Sequence, residues 1–173
     1  MKIRDATDLI RTSMIEWARP QSWCDLGCGN GTFTIALAES LASGSTILAV
    51  DFEQRALGAV PDEYQGVTVR KVLGDLRSPG LRLPSVDGIL MANSLHFIPD
   101  QHLFLRRLQS VTDRFLIVEY ERSTPSLWGP YPVGFDRLCQ LFSEMGVKRV
   151  QRLATRRSRF GGTMYSALAE QSR

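Results

Sequence analysis

The chain has 173 residues, 43% hydrophobic and 23% charged, a balance that fits one globular domain, residues 1–173, whose core needs neither a disulfide nor a structural metal. Its net charge of +3 is mild and rests on arginine, with lysine only at Lys2, Lys71 and Lys148, so charge alone does not argue for a nucleic-acid partner. Cys24, Cys28 and Cys139 form neither a zinc-knuckle spacing nor a CxxC pair, and no run of about 18 apolar residues occurs; reduced thiols, a cytoplasmic location and no membrane insertion are expected.

In chain order, apolar residues at Leu9, Ile10, Met14, Ile15 and Trp17 recur at helical spacing and predict a helix over 6–17, stopped by Pro20. With the residues before it, this helix is read as an amino-terminal cap over 1–18. Its apolar side has two readings, core packing or the lining of an acceptor pocket. Residues 22–26 predict a short strand leading into a glycine turn, and 32–41 the helix that follows. The continuous apolar run over 45–50 reads as a strand covered on both faces, closed by Asp51.

A short helix over 53–59, strands over 67–72 and 86–91, a helix over 100–111, a strand over 115–119 and a helix over 135–144 capped by Gly146 continue the alternation. Such alternation predicts an α/β fold with right-handed crossovers. The last two strands, 147–153 and 163–169, are separated by only the nine residues 154–162. A parallel neighbour needs a connection of a dozen or more residues, so this pair is predicted to be an antiparallel hairpin ending a mostly parallel sheet.

The chemistry is concentrated in residues 25–31, Asp-Leu-Gly-Cys-Gly-Asn-Gly, between the first strand and its helix. Glycines without Cβ atoms permit the sharp turn and let a ligand lie against backbone amides. Asp51, at the tip of the second strand, stands where a carboxylate accepts hydrogen bonds from both hydroxyls of a ribose. Thr32 and Phe33 depart from the dinucleotide fingerprint, so a ligand without phosphate suits the loop better.

Residues 25–32, Asp-Leu-Gly-Cys-Gly-Asn-Gly-Thr, resemble motif I of the class I S-adenosylmethionine-dependent methyltransferases. The likeness continues through Asp51, through Gly74, Asp75 and Leu76, through residues 87–96 at the fourth strand, and down to the terminal hairpin. It implies a Rossmann-like three-layer sandwich: a mostly parallel seven-stranded sheet with an antiparallel carboxy-terminal strand.

By position, the resemblance implies that the backbone of Gly27, Cys28, Gly29 and Gly31 meets the methionine and ribose parts of S-adenosyl-L-methionine and that Asp25 holds the methionine ammonium through water. It assigns the ribose hydroxyls to Asp51, a face of the adenine to Phe52, the adenine amino group to Asp75, the adenine ring to the Leu76 amide, and the methionine end to Asn93. No metal is implied.

Methyl transfer needs an acceptor held in line, and a general base only where the acceptor must lose a proton. His96, just past the fourth strand, is the candidate base; its other reading is a histidine packed between strand and helix. The segment 120–135 carries Tyr120, Arg122, Trp128 and Tyr131 on an irregular stretch and reads either as a substrate-lining lid or as a loop anchored to the core by its aromatics. Arg152, Arg156, Arg157 and Arg159 at the hairpin read as a solvated tip or, under the nucleic-acid alternative, as a phosphate patch.

The expected activity is therefore methyl transfer to a small-molecule acceptor. Three alternatives are carried beside it: a partner or sensor that binds S-adenosylmethionine without catalysis, an RNA methyltransferase, and a nicotinamide-dependent reductase. The terminal hairpin argues against the last. The residues do not specify an oligomeric state.

Overall fold

A computed structural model describes residues 1–13, 15, 17–158 and 161–171. Helix α1 (Ile3–Ile10) precedes β1 (Ser22–Leu26), α2 (Thr32–Ser40), β2 (Thr46–Asp51), α3 (Gln54–Ala59), β3 (Glu63–Tyr64) and β4 (Val67–Leu73). Then follow β5 (Gly88–Ala92), α4 (Gln101–Leu108), β6 (Arg114–Tyr120), α5 (Phe135–Glu144), β7 (Arg149–Arg157) and β8 (Thr163–Glu170). The strands form one sheet in the order β3-β4-β2-β1-β5-β6-β8-β7.

Strands β4, β2, β1, β5 and β6 run parallel, and β8 is antiparallel to both β6 and β7. The expected terminal hairpin is therefore present. The central strands are covered on both faces, which is why they read as unbroken apolar runs. Alternation assigns the faces. Trp23, Ile47, Ala49, Leu90 and Leu116 pack with Leu9, Ile10, Phe33 and Leu37 of α1 and α2. Cys24, Leu26, Val50, Ile89, Met91 and Ile117 pack with Leu105, Leu108, Leu138 and Phe142 of α4 and α5.

Two expectations are corrected. The sheet has eight strands, not seven, because Glu63 and Tyr64 pair antiparallel with Thr68 and Val67 through a two-residue turn. Both turn residues, Gln65 and Gly66, have positive φ, the geometry that suits a tight hairpin. With glutamine where asparagine or aspartate usually signals such a turn, the hairpin was not apparent in sequence.

The cap helix ends at Ile10 rather than near 17. Arg11 turns to extended backbone, Trp17 donates from Nε1 to the Thr12 carbonyl at 2.7 Å, and its ring stacks on Trp23 at 6.0 Å. Ile15 is buried all the same, so the apolar spacing reflects burial reached without helix. Met14 lies outside the described residues.

Of the two readings of the apolar side of α1, core packing holds for Leu9 and Ile10, which are buried among core residues. The Leu9 carbonyl accepts from Ser166 Oγ on β8, which ties α1 across the sheet. Among the described residues no helix is long and apolar enough to cross a membrane.

Candidate active site

The carboxyl ends of β1, β2 and β5 meet at one edge of the sheet and are knitted together by backbone. The amides of Gly27 and Cys28 both donate to the Val50 carbonyl, at 2.8 and 3.1 Å. Ser94 Oγ donates to the Leu26 carbonyl at 2.6 Å. Gly27 has φ +78°, and a Cβ there would lie 2.5 Å from Ser94 Cβ, so the strand-to-loop turn accepts no side chain. At Gly29 a Cβ would meet nothing within 4 Å, which leaves the loop backbone open on that side.

Asp51 is the hinge of this loop. Its Oδ2 accepts from the Gly29 amide at 2.8 Å and its Oδ1 from the Glu53 amide at 2.9 Å. Each carboxylate oxygen can accept a further bond, so the group can order the loop and still take a pair of hydroxyls. Phe52 beside it is 70% exposed, an unusual position for a phenylalanine, and Leu73 at the end of β4 is exposed too. Leu76 is buried.

Asp75 is engaged by Arg77. The Arg77 guanidinium donates to both its oxygens, at 2.8 to 3.2 Å, and the Arg77 amide donates to Oδ1 at 2.9 Å, which together hold the carboxyl below its usual range.

Asp25 and Asn93 are the two residues with a buried side-chain oxygen lacking a hydrogen-bond partner among the described residues, Oδ1 in each case. Asp25 is fully buried and accepts from Thr34 Oγ1 at 2.6 Å through Oδ2. Burial foremost, and the Asp51 charge to a lesser degree, push its carboxyl up to about 7 against the pull of the Thr34 hydroxyl. Asn93 has φ +56°, a left-handed conformation that asparagine tolerates. Cys28 is buried within the loop and burial pushes its thiol up, so it holds no reactive thiolate.

Two cavities open at this edge. One, of about 630 Å³, lies over the loop between Gly27, Cys28, Gly29, the start of α1 and the β7–β8 hairpin. Lys2, Arg156 and Arg157 line it, and Arg156 pairs with Asp5 at 2.7 Å. The other, of about 610 Å³, is walled by Phe97, Trp128, Pro132 and Val133 and carries His96, Glu119 and Arg122. Asn93 and Tyr120 line both, so the two spaces adjoin.

His96 sits on a single 3-10 turn, Leu95–Phe97, after β5. Its Nδ1 is 2.6 Å from Glu119 Oε2, and its amide donates to Glu119 Oε1 at 3.2 Å. Glu119 is almost completely buried at the end of β6. Nδ1 is the ring nitrogen that faces the carboxylate, so in a neutral ring the proton belongs on Nδ1 and Nε2 carries the lone pair.

The segment after β6 is anchored and exposed at once. Gln101 Nε2 donates to the Tyr131 carbonyl at 2.7 Å, the Tyr131 amide donates to the His96 carbonyl, and Tyr165 OH donates to the Val133 carbonyl at 2.8 Å. Trp128 at the tip is 84% exposed and lines the His96 cavity. Tyr131 does not line that cavity; it borders a groove on the loop's other face.

Two features of the site escaped sequence reasoning. Glu119 carried a signal: an acid ending an otherwise apolar buried strand, as Asp51 does. In the wall formed by Lys2, Asp5, Arg156 and Arg157 the two arginines stood out as part of the hairpin cluster, but their meeting with Lys2 and Asp5 carried no signal, because it exists only where α1 and the hairpin fold over the loop. Arg152, also of the hairpin cluster, pairs with Glu121 at 2.9 Å and lies over the Phe135 ring at 4.2 Å. Arg159 lies outside the described residues.

A doubly covered, mostly parallel sheet with a glycine loop and a carboxylate at adjacent strand tips defines the class as a Rossmann-like α/β protein. The profile of the methyltransferase domain family matches residues 24–114, and the chain belongs to that family. It is 28% identical over 91 residues to a demethylmenaquinone methyltransferase of Lactobacillus johnsonii, a stretch covering 50% of this chain and 37% of that protein; the match thus spans little more than a third of the curated relative. The fold is shared with the YcgJ protein of Bacillus subtilis, with TM-score 0.74, 13% identity, and coverage of 98% of this chain and 99% of that one. An arsenic(III) S-adenosylmethionine methyltransferase of Chlamydomonas reinhardtii superposes with TM-score 0.68 and 14% identity, covering 99% of this chain and 73% of that one.

Proposed function

We propose that residues 1–173 form one S-adenosylmethionine-dependent methyltransferase domain that acts on a small-molecule acceptor. The observation that carries this reading is the pair of adjoining cavities, one over the glycine loop and one around His96, meeting at Asn93 and Tyr120. A donor and an acceptor can thus be held on either side of a shared boundary.

The loop fits the donor. Its backbone is open at Gly29, a carboxylate with spare acceptor capacity stands beside it, an exposed phenylalanine flanks it, and two buried oxygens nearby lack partners. S-adenosylmethionine supplies an electrophilic methyl group on a sulfonium. The backbone of Gly27, Cys28, Gly29 and Gly31 would hold the methionine and ribose parts, and Asp51 the ribose hydroxyls. Phe52, Asp75 and Leu76 would hold the adenine, with Asp25 and Asn93 at the methionine end.

On the acceptor side, Tyr120, Arg122 and Trp128 line the space, and His96 Nε2 can accept a proton there. Glu119 orients the ring and compensates the charge it gains, in the manner of a buried carboxylate behind a catalytic histidine. An apolar second cavity of this size supports catalysis over a role confined to binding the donor. The commitment of Arg152 and Arg156 to Glu121 and Asp5 supports a small-molecule acceptor over RNA. Free cysteines at Cys24, Cys28 and Cys139 support a reducing compartment such as the cytoplasm.

Calorimetric titration with S-adenosylmethionine and NADH, followed by an acceptor screen read by S-adenosylhomocysteine release, tests the proposal. Binding of the methyl donor but not NADH, and release dependent on an added acceptor, are expected. Binding of NADH alone refutes the reading.

A further inference from the structure

The His96 cavity combines three chemistries that together narrow the acceptor. Its walls are largely apolar and partly aromatic: Phe97, Trp128, Pro132, Val133 and Tyr120. Planar aromatic bodies suit such walls, and about 610 Å³ is room for one with substituents.

The second chemistry is the base. Glu119 accepts hydrogen bonds from Nδ1–H and from the amide of His96, and no hydrogen bond engages Nε2 among the described residues. A buried base held this way is of use only to an acceptor whose nucleophile must shed a proton during attack. A phenolic hydroxyl, which ionises near pH 10, meets that requirement. A thiol, ionising near pH 8.5, reaches its anion more readily than a phenol, and an uncharged arylamine attacks through a free lone pair.

The third is a cation. The Arg122 guanidinium stands 5.4 Å from the Tyr120 ring centroid, lines the same cavity, and forms no ion pair among the described residues. The nearby carboxylates are committed elsewhere: Glu119 to His96, and Glu121 to Arg152 and to the Phe135 amide. A fork of donors over an aromatic wall, with no internal anion, fits a carboxylate carried by the ligand.

We propose that the acceptor is a hydroxylated aromatic acid, methylated on its phenolic oxygen, with its carboxylate paired to Arg122 and its hydroxyl facing His96. The proposal rests on the methyltransferase reading above. The phenolic oxygen forms a bond to the methyl carbon, the carbon–sulfur bond breaks with its electron pair left on sulfur, and S-adenosylhomocysteine results. The hydroxyl proton passes to His96 Nε2, the resulting imidazolium is compensated by Glu119, and the proton is then lost to water. Arg122 sets specificity, His96 is the catalytic residue, and Glu119 is a positioning residue.

Caffeate and 3,4-dihydroxybenzoate are the probes, each compared with its methyl ester after calorimetry has established that S-adenosylmethionine binds. O-methyl products identified by NMR and a kcat/KM about 10- to 100-fold higher for acid than for ester are expected. Arg122→Gln should collapse that preference and Arg122→Lys retain part of it. His96→Asn and Glu119→Gln should lower kcat on dihydroxybenzoate by about 100-fold, yet by less than about tenfold on its nitro-substituted analogue, whose hydroxyl is already ionised at pH 8. A merely structural role would lower both alike.

Equal turnover of acid and ester, methylation at nitrogen or carbon, or no turnover of either acid by a protein that binds the donor overturns the proposal. Failure to bind S-adenosylmethionine instead removes the methyltransferase reading itself.

Discussion

Asp25 offers a test whose sign and size follow from the structure. Its carboxyl is fully buried, has one oxygen without a partner, and ionises at about 7 instead of 3.8. Because the value is raised, the folded chain binds more protons than the unfolded chain between these two pH values. The ligand-free protein should therefore lose stability as pH rises through that window and level off above about pH 7. At about 1.36 kcal/mol per pH unit the full effect is roughly 4 kcal/mol, of which roughly 2 to 3 kcal/mol falls between pH 5 and pH 8. Denaturant unfolding of the wild type and of Asp25→Asn across pH 5 to 8 isolates the contribution, since other groups titrate in both proteins. The difference between the two curves should slope with pH, whatever its offset. A cationic methionine ammonium near Asp25 favours the carboxylate, so donor affinity should rise by up to about tenfold per pH unit below pH 7, with a proton released on binding at pH 6. A difference curve flat from pH 5 to 8 would refute the reasoning.

Gly27→Ala should destabilise the fold by about 2 to 3 kcal/mol in thermal or denaturant unfolding, because a positive φ and a 2.5 Å approach to Ser94 Cβ coincide there. Phe52→Ala should lie within about 0.5 kcal/mol of wild-type stability while weakening S-adenosylhomocysteine about tenfold by calorimetry, as this 70% exposed ring has little packing to lose. Arg157→Gln should weaken S-adenosylhomocysteine but not 5′-methylthioadenosine, which lacks the amino-acid end, if the basic wall of the loop cavity meets the methionine carboxylate; equal weakening of both would contradict that placement.

The proposed donor side is legible almost entirely as local pattern. Residues 25–31, Asp51 and the segment around Asp75 are short stretches at strand tips, and a parallel α/β sheet brings successive strand tips to one edge by rule. The hairpin of β7 and β8 was equally determined, because nine residues cannot hold a crossover. Helix α1 was overextended and β3 missed, since burial of Ile15 mimicked helical spacing and a Gln65–Gly66 turn carries a weak signal.

The acceptor side was different. Sequence placed His96, Tyr120, Arg122 and Trp128 among candidates but could not choose between a base and a packed histidine, or between a lid and an anchored loop. Tertiary structure brings Glu119, 23 residues on, to 2.6 Å from His96, gives Trp128 to the cavity, and turns Tyr131 away from it. The physical reason is one of range: a glycine turn and its carboxylate are written into the ends of single strands, whereas the tautomer of a histidine and the walls around it depend on which distant side chains the folded sheet sets beside them.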